Sequence, residues 1–557
     1  MKKIYIIIYM QDVDLYCSFK SDVDSVAYYF DPTLADYIEF KRCENIHYIG
    51  RVGPFSSSVM QVDARRCALD FENQISELVK KYTKVSNVIG WQHLTLRYFF
   101  LTYFWYFDLW NEMSSQIPDG EITIFVLNNP QYLHQHSYLP AVLLMQHLSS
   151  IGRVYKAYLY GEVNYNHSDV LDVLGAQLEV GCDLLIHLPT ILYDAKYVEE
   201  ALLGVKSVVN IKSKHWDTNI NKGSINIDFV GLDNLNFYDS SKLKEALVSA
   251  IDGILSKYFS AHDFRKRQVN MLVEMLNCQI TNYYLIDYYF ANNKPKKLLI
   301  SDHDTGLHGP ILRYFENEGI EIYVFPHSKF HSDNGFRTRK TNYLNHPIQR
   351  SITCFHGGAK PKTNLYYPKL KKSIASDFKS KDIRTVGLML NGLSEGGILT
   401  LNFERYINGI KILSDWCILN SLIMKIRCRP DMPIRAVLRV LLEQNKNIII
   451  DSAEVQLNEF ISAIDLCVMY DTPTSAAISV LDSSCPLINI VPGELDFWIS
   501  GWINEDVVPF YDLDSGVVKL NDLLITHADF LKNQQTEYNY RNTKSKALKA
   551  ILFDSEI

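Results

Sequence analysis

Three short segments in the last third of the chain carry residue types suited to holding a phosphate and its sugar. The first is GLSEGG, residues 392–397. Gly392 and Gly396 leave the backbone open to close approach by a ligand, and Glu395 is a candidate for a ribose or a base. The second is RCRPDMP, in which Arg427 and Arg429 precede Pro430; a guanidinium there can hold a phosphate or carboxylate through two parallel hydrogen bonds. The third is DTPTSAA, which puts Thr474 and Ser475 at an expected helix start, where free backbone N–H groups and the helix dipole favour an anion.

A different set suits proton transfer. Asp302, His303, Asp304 and His308 follow the apolar run LLIS, and His327 follows IYVFP. An aspartate at such a place can take a proton from a hydroxyl or attack a carbon centre, and an imidazole can relay the proton. Either Asp302 or Asp304 fits the part. Asn129, in an NNP turn, and Glu162, after LYG, are candidates to line the same cleft.

These residues need a scaffold that brings loop ends together. Short β-branched runs alternate with longer amphipathic stretches through most of the chain, the pattern of parallel sheets covered by helices. Expected strands in the first part include residues 4–9, 46–49, 122–127, 154–160, 184–187, 208–211, 298–301 and 322–325. A strand, turn, helix and strand over 121–161 make a βαβ unit. From residue 384 the alternation becomes regular: strands at 384–391, 422–427, 447–450, 466–470 and 486–491, separated by helices. Five parallel strands with four crossovers form a doubly wound, nucleotide-binding kind of domain. Its ligands belong at the carboxyl ends of the strands, where the three loops lie.

The combination of IKIRCRPDMP, EVQLNEFISAIDLCVMY and DTPTSAAISVLDSSCPLINI resembles the donor half of GT-B glycosyltransferases of bacterial surface polysaccharides. It is most similar there to the CMP-sugar enzymes, the sialyl-, polysialyl- and Kdo-transferases. Their His-Pro motif is matched in position by Arg429-Pro430, with arginine for histidine, and their Ser/Thr-rich helix start by Thr474-Ser475. In the first half, LLISDHDTGLHGPILRYFENEGIEIYVFPHSKF is similar to the segment closing the N-terminal half of such enzymes. The resemblance implies a GT-B-like α/β fold, two Rossmann-like domains facing a central cleft, and transfer of an acidic sugar from CMP to a lipopolysaccharide, capsule or O-antigen glycan. It implies Asp302 or Asp304 as base or nucleophile with His327 assisting, and Glu162, His308 and Asn129 on the acceptor side. A UDP-sugar or polyol-phosphate transferase, an epimerase of the same shape, and a non-catalytic glycan-binding relic are the alternatives. Asp302-x-Asp304 also matches the D-x-D manganese motif of GT-A transferases. Asp12-x-Asp14 and Asp22-x-Asp24 match it equally, so no metal and no cofactor are expected beyond the nucleotide-sugar substrate.

Composition bounds these readings. With 557 residues, 47% hydrophobic, and a net charge of −7, the chain is of multidomain size and carries no basic excess of a nucleic-acid binder. The aromatic run at 98–110 is too short to cross a bilayer as a helix. Ten cysteines without a C-x-x-C pair read as buried thiols in a reducing cytoplasm. Where periodicity fades and lysines gather, a basic linker is expected over 346–383, between an enlarged acceptor-binding and catalytic domain, 1–345, and a donor-binding domain, 384–557. The lysines allow peripheral attachment to the inner membrane.

Overall fold

The structure is a computed structural model, and it describes residues 2–19, 24–50, 57–83, 93–127, 139–161, 173–174, 182–188, 198, 202, 208–211, 225–229, 239–260, 262–301, 308–326, 341–349, 362–365, 382–390, 403–429, 434–442, 445–452, 454–471, 474–492 and 503–553. The described strands form three sheets, and the chain is an α/β protein built on parallel pairing.

The first sheet contains β1 (Lys3–Ile7), β2 (Ser25–Tyr29), β3 (Ile46–Tyr48), β4 (Glu121–Leu127) and β5 (Tyr155–Tyr160), in the order β3-β2-β1-β4-β5, all parallel. Helices α1 (Met10–Ser18) and α2 (Ala35–Lys41) follow β1 and β2, while α3 (Ser57–Thr83) and α4 (His93–Met113) lead to β4. The expected βαβ unit is present: β4, α5 (Leu139–Ser150) and β5, with Gly152 in a left-handed conformation (φ 75°) ending the helix turn. The aromatic run lies inside α4, where Phe99, Phe100, Tyr106 and Trp110 are buried and Trp110 Nε1 donates to Pro140 O (2.8 Å). No described helix is long and apolar enough to cross a membrane.

The second sheet runs β13-β12-β11-β10-β7-β8-β9-β6. Its strands are β6 (Val173–Leu174), β7 (Leu184–His187), β8 (Val208–Ile211), β9 (Ile225–Phe229), β10 (Lys297–Ser301), β11 (Glu321–Phe325), β12 (Thr341–Asn345) and β13 (Lys362–Leu365). Only the β6–β9 pair is antiparallel among them. Between β9 and β10 lie α6 (Ser240–Leu255), capped by the Asp239 carboxylate accepting from Lys242 N, and α7 (His262–Phe290). Helix α8 (His308–Asn317) joins β10 to β11.

The third sheet runs β16-β15-β14-β17-β18-β19, again all parallel. It comprises β14 (Thr385–Leu390), β15 (Ile423–Arg427), β16 (Ile448–Ile450), β17 (Leu466–Tyr470), β18 (Leu487–Val491) and β19 (Phe510–Asp512). Its helices are α9 (Phe403–Leu419), α10 (Arg435–Leu442), α11 (Leu457–Ser462), α12 (Ala476–Asp482) and the long α13 (Leu513–Thr543). Alternate residues of β14, Val386, Leu388 and Leu390, meet Tyr406 and Ile410 of α9 and Leu520 and Leu523 of α13 in one buried cluster. Gly409 lets α9 approach β17, since a Cβ there would lie 2.0 Å from the Tyr470 hydroxyl. The expected five strands are therefore six: β19 has three residues, partly exposed at a sheet edge, and leaves no apolar run to see.

Contacts divide the chain into two compact units. One holds Met1–Ala64, Tyr98–Asn164 and Ser373–Tyr540, and so the first and third sheets; the other holds Arg65–Arg97, Tyr165–Lys372 and Arg541–Ile557, and so the second. The stretch expected as one domain, 1–345, thus contributes two sheets, and strand β13 lies inside the expected linker. A four-residue edge strand needs little apolar sequence, which is why a lysine- and proline-rich segment hides it. In the second unit, α14 (Leu548–Phe553) adds Leu548 and Leu552 to a core shared with Leu184 and Ile186 of β7 and Leu299 of β10, and Lys297 Nζ donates to Leu552 O (2.6 Å).

Cysteine usage needs a correction. Cys17, in α1, and Cys43, after α2, are joined in a disulfide with Cα atoms 6.2 Å apart. Their spacing of 26 residues matches no motif, and only the fold of α1 against α2 brings them together. Cys182, Cys417, Cys428, Cys467 and Cys485 are buried thiols.

Candidate functional site

The strand order of the third sheet decides where its loops meet. The chain starts at β14, builds outward through β15 to β16, then returns to the other side of β14 with β17. Between β14 and β17 lies the switch point at which open α/β sheets bind ligands. Pairings Met389↔Arg427 and Leu390↔Tyr470 align the carboxyl ends of β15, β14 and β17 in three adjacent rows, about 4.8 Å apart. All three expected loops leave from these ends.

Arg427 is half-buried as the last residue of β15, and Arg429, two residues on, is exposed. Ser475 stands at the N-cap of α12 and makes no side-chain capping bond. Thr474 is engaged locally: its Oγ1 accepts from Ala476 N (3.3 Å) and its carbonyl from Ala477 N (3.1 Å). Gly392, Glu395, Gly396 and Pro430 lie outside the described residues.

Asp471 opens the DTPTSAA loop and takes part in the site, though the motif itself points only to Thr474 and Ser475. It follows β17 directly, is 1% exposed, and holds a left-handed backbone (φ 75°), a conformation few non-glycine residues adopt and aspartate more readily than most. Its amide donates to Ile490 O (2.8 Å) and its carbonyl accepts from Asn489 Nδ2 (2.8 Å), so neighbouring β18 fixes the backbone of Asp471 at the end of β17. Burial pushes the hydroxyls of Tyr406 and Tyr470 up, and the Asp471 charge adds to it. Tyr470 keeps its proton and donates to Tyr406 O (2.7 Å).

The start of α10, just beyond the arginine loop, is held from the first sheet. Asp36 of α2 accepts from Ala436 N (2.6 Å), taking an orphan donor of the α10 first turn, with Arg435 Nη1 3.8 Å from its other oxygen. Arg439 donates to Glu39 (3.0 Å), and Arg435 Nε donates to the carbonyl of Asp451 (3.0 Å). No local signal reveals this clamp, because the partners are 400 residues apart. Between α10 and edge strand β16 lies a groove of about 480 Å³, walled by Arg435, Arg439, Leu442, Asn445, Ile448, Ile450, Asp451 and Ser452.

The first sheet has the same kind of strand order, but its corresponding seat is filled. Asp12, in the first turn of α1 after β1, is buried, and its Oδ2 accepts from Ile8 N (2.8 Å) and Tyr9 N (2.9 Å). Its Oδ1 accepts from Tyr160 Oη, at the carboxyl end of β5 (2.6 Å). Burial pushes the Asp12 carboxyl up to about 7, against the pull of these three bonds. The chain's own carboxylate thus sits where an anion would enter.

In the second sheet, β10 lies between β7 and β11, at the reversal of strand order, and Ser301 pairs with Phe325 at the carboxyl ends of β10 and β11. Asp302 and Asp304 follow the first of these ends and His327 the second; all three lie outside the described residues, as do Asn129 and Glu162. His308 is the first residue of α8. Among the described residues no group of three or more His, Cys, Asp or Glu is placed to hold a metal ion.

The class that fold and site define is an α/β protein of parallel, doubly wound sheets. No family model and no curated protein matches the sequence. Among solved structures, the chain is similar to the glycosyltransferase SnogD from Streptomyces nogalater at 9% identity, covering 68% of this chain and 99% of that one, with a TM-score of 0.37. The S. aureus MnaA-UDP co-structure gives 10% identity, coverage of 67% and 94%, and a TM-score of 0.34. A GtfA/B complex gives 11% and 0.33; it matches 50% of this chain, which spans 61% of the chain in that complex.

Proposed function

We propose that the chain is a GT-B-type glycosyltransferase that binds a nucleotide sugar at the carboxyl edge of the third sheet and transfers an acidic sugar from CMP to a bacterial surface glycan. The observation that carries this reading is the alignment of the ends of β15, β14 and β17 around the switch point, with Arg427, Arg429, Thr474 and Ser475 beyond them. Guanidinium and hydroxyl donors fixed by a sheet stabilise the charge that develops on a departing phosphate without reorganising. In this reading Asp302 or Asp304 takes the acceptor proton or attacks the anomeric carbon, and His327 assists. The sequence resemblance to CMP-sugar enzymes supports the donor class. The reading needs no metal, and it puts the soluble donor at a membrane-borne acceptor surface.

A thermal-shift panel of CMP, CDP, UMP and UDP tests the donor class, since the correct nucleotide stabilises the fold by mass action. Stabilisation by uridine nucleotides alone moves the assignment to a UDP-sugar transferase or epimerase. Stabilisation by none, with no hydrolysis of any activated sugar, leaves a non-catalytic protein. For the chemical step, the double variant Asp302→Asn/Asp304→Asn should lose transfer while retaining the nucleotide shift; full transfer by that variant refutes the role of both aspartates.

A further inference from the structure

Cys17 and Cys43 fasten the end of α1 to the segment just past α2. Helix α2 has only seven residues and buries two of them, Ala35 and Ile38, while Phe40 is 78% exposed. A helix of two turns is marginal without tertiary support. Its polar ties to α1 are the Tyr37 hydroxyl, which donates to the Asp14 carboxylate (2.9 Å), and Lys41 Nζ, 2.7 Å from the same group. Solvent-accessible pairs of this kind contribute little, so the disulfide is the firm restraint that keeps α2 in place.

From α2 a series of contacts reaches the arginine rim. Asp36 holds Ala436 N and lies beside Arg435, and Glu39 holds Arg439. One residue before α10, the Ile434 amide donates to the Cys428 thiol, which sits between Arg427 and Arg429. When α2 lets go of α10, the peptide that carries both guanidinium groups loses its support. The cysteines themselves direct a reductant to the tether. Cys17 and Cys43 are both partly exposed. Cys417, Cys428 and Cys485 are buried, and burial pushes the Cys428 thiol up to about 11 and the other two to about 12, so they supply no thiolate to compete for the opened pair.

Resting on the nucleotide-site reading above, we propose that Cys17–Cys43 is a redox switch of that site: closed, it docks α2 on α10 and sets the arginine rim for the nucleotide phosphate; opened, it releases both. The opening agent is a dithiol. Its thiolate attacks one sulfur, the S–S bond breaks, and two electrons and two protons pass to Cys17 and Cys43 as the dithiol closes to a disulfide. The test compares the oxidised and dithiothreitol-reduced full chain, with Cys17→Ser/Cys43→Ser as the permanently open form. Opening should weaken CMP binding about fivefold or more and speed hydrogen exchange of residues 434–442 by a similar factor, while strand β17 keeps its rate. Coupling is reciprocal, so saturating CMP should raise the ratio of reduced to oxidised dithiol at half-reduction of the wild type by the same factor, a readout that needs no variant to fold. Equal CMP affinity of the two wild-type forms, or closed-form affinity in the serine variant, overturns the switch. So does an acceleration of β17 equal to that of residues 434–442, which marks general loosening. If neither form binds CMP, CDP, UMP or UDP, the nucleotide site itself falls; faster exchange at 434–442 then upholds the tether alone, and unchanged exchange overturns that too.

Discussion

Replacing Asp36 by alanine isolates the clamp between α2 and the start of α10. The substitution removes a carboxylate oxygen 2.6 Å from Ala436 N and the closest acid to Arg435. A hydrogen bond to a charged group contributes about 1.5–3 kcal/mol, and the favourable position at a helix N-terminus is part of that figure. Burial holds the Asp36 carboxyl above its ordinary value despite Ala436 N–H and Arg435, so desolvation consumes some of the gain and about 2 kcal/mol is the working figure. The Glu39–Arg439 pair is about half exposed at both ends and contributes about 0.5 kcal/mol. Hydrogen exchange followed by mass spectrometry on residues 434–442 reads the local opening directly. At about 1.4 kcal/mol per tenfold, Asp36→Ala should speed exchange of the α10 first turn about 30-fold, and Glu39→Ala about twofold. Equal effects of the two substitutions, or a change below about threefold for Asp36→Ala, would refute the capping role.

Three further outcomes follow from named contacts. Gly409→Ala places a methyl against the Tyr470 hydroxyl and should destabilise the third-sheet unit by about 3 kcal/mol in chemical denaturation; adding Tyr470→Phe, which removes that oxygen, should restore part of the loss. Reducing Cys17–Cys43 opens a covalent loop spanning 26 residues and should cost about 3 kcal/mol, seen as a lower melting temperature with dithiothreitol that Cys17→Ser no longer shows. For Asp12 the folded carboxyl, at about 7, binds a proton that the unfolded chain, near 3.8, has released. Stability should then fall as pH rises from about 4 to about 7, by up to about 4 kcal/mol, and level off above; Asp12→Asn should remove that slope in denaturation series.

The third sheet was legible because its central strands are continuous apolar runs separated by turn residues. VGLML, LCVMY and LINIV announce buried parallel strands, and their order put RCRP and TPTS on one rim. The first sheet was legible except for one strand: IYIII, EITIFVL and their parallel neighbours at 46–49 and 154–160 show themselves, but SVAYY, with two tyrosines reaching a partly exposed end, looks like loop sequence. The long α13 was missed because its buried positions are spread among Asn, Gln, Lys and Asp. Residues that act through distant partners left no trace. Asp471 is a turn residue until β18 is beside it, and Asp36 is a helix-start acid until α10 is beside it.

Those 400 residues between Asp36 and Ala436 also order events in time. At roughly 5–20 residues per second, the ribosome makes α10 about 20–80 s after α2. For that interval the first sheet can close on itself, since β4 and β5 are complete by residue 160, yet its α2 acids face solvent with no basic helix to meet. The second sheet is synthesised in between, and two of its core residues, Leu548 and Leu552, come only after the third sheet and its helices. Neither unit is finished until the other has nearly been made: the unit of the first and third sheets needs residues up to Tyr540, and the unit of the second sheet needs the segment that follows, Arg541–Ile557.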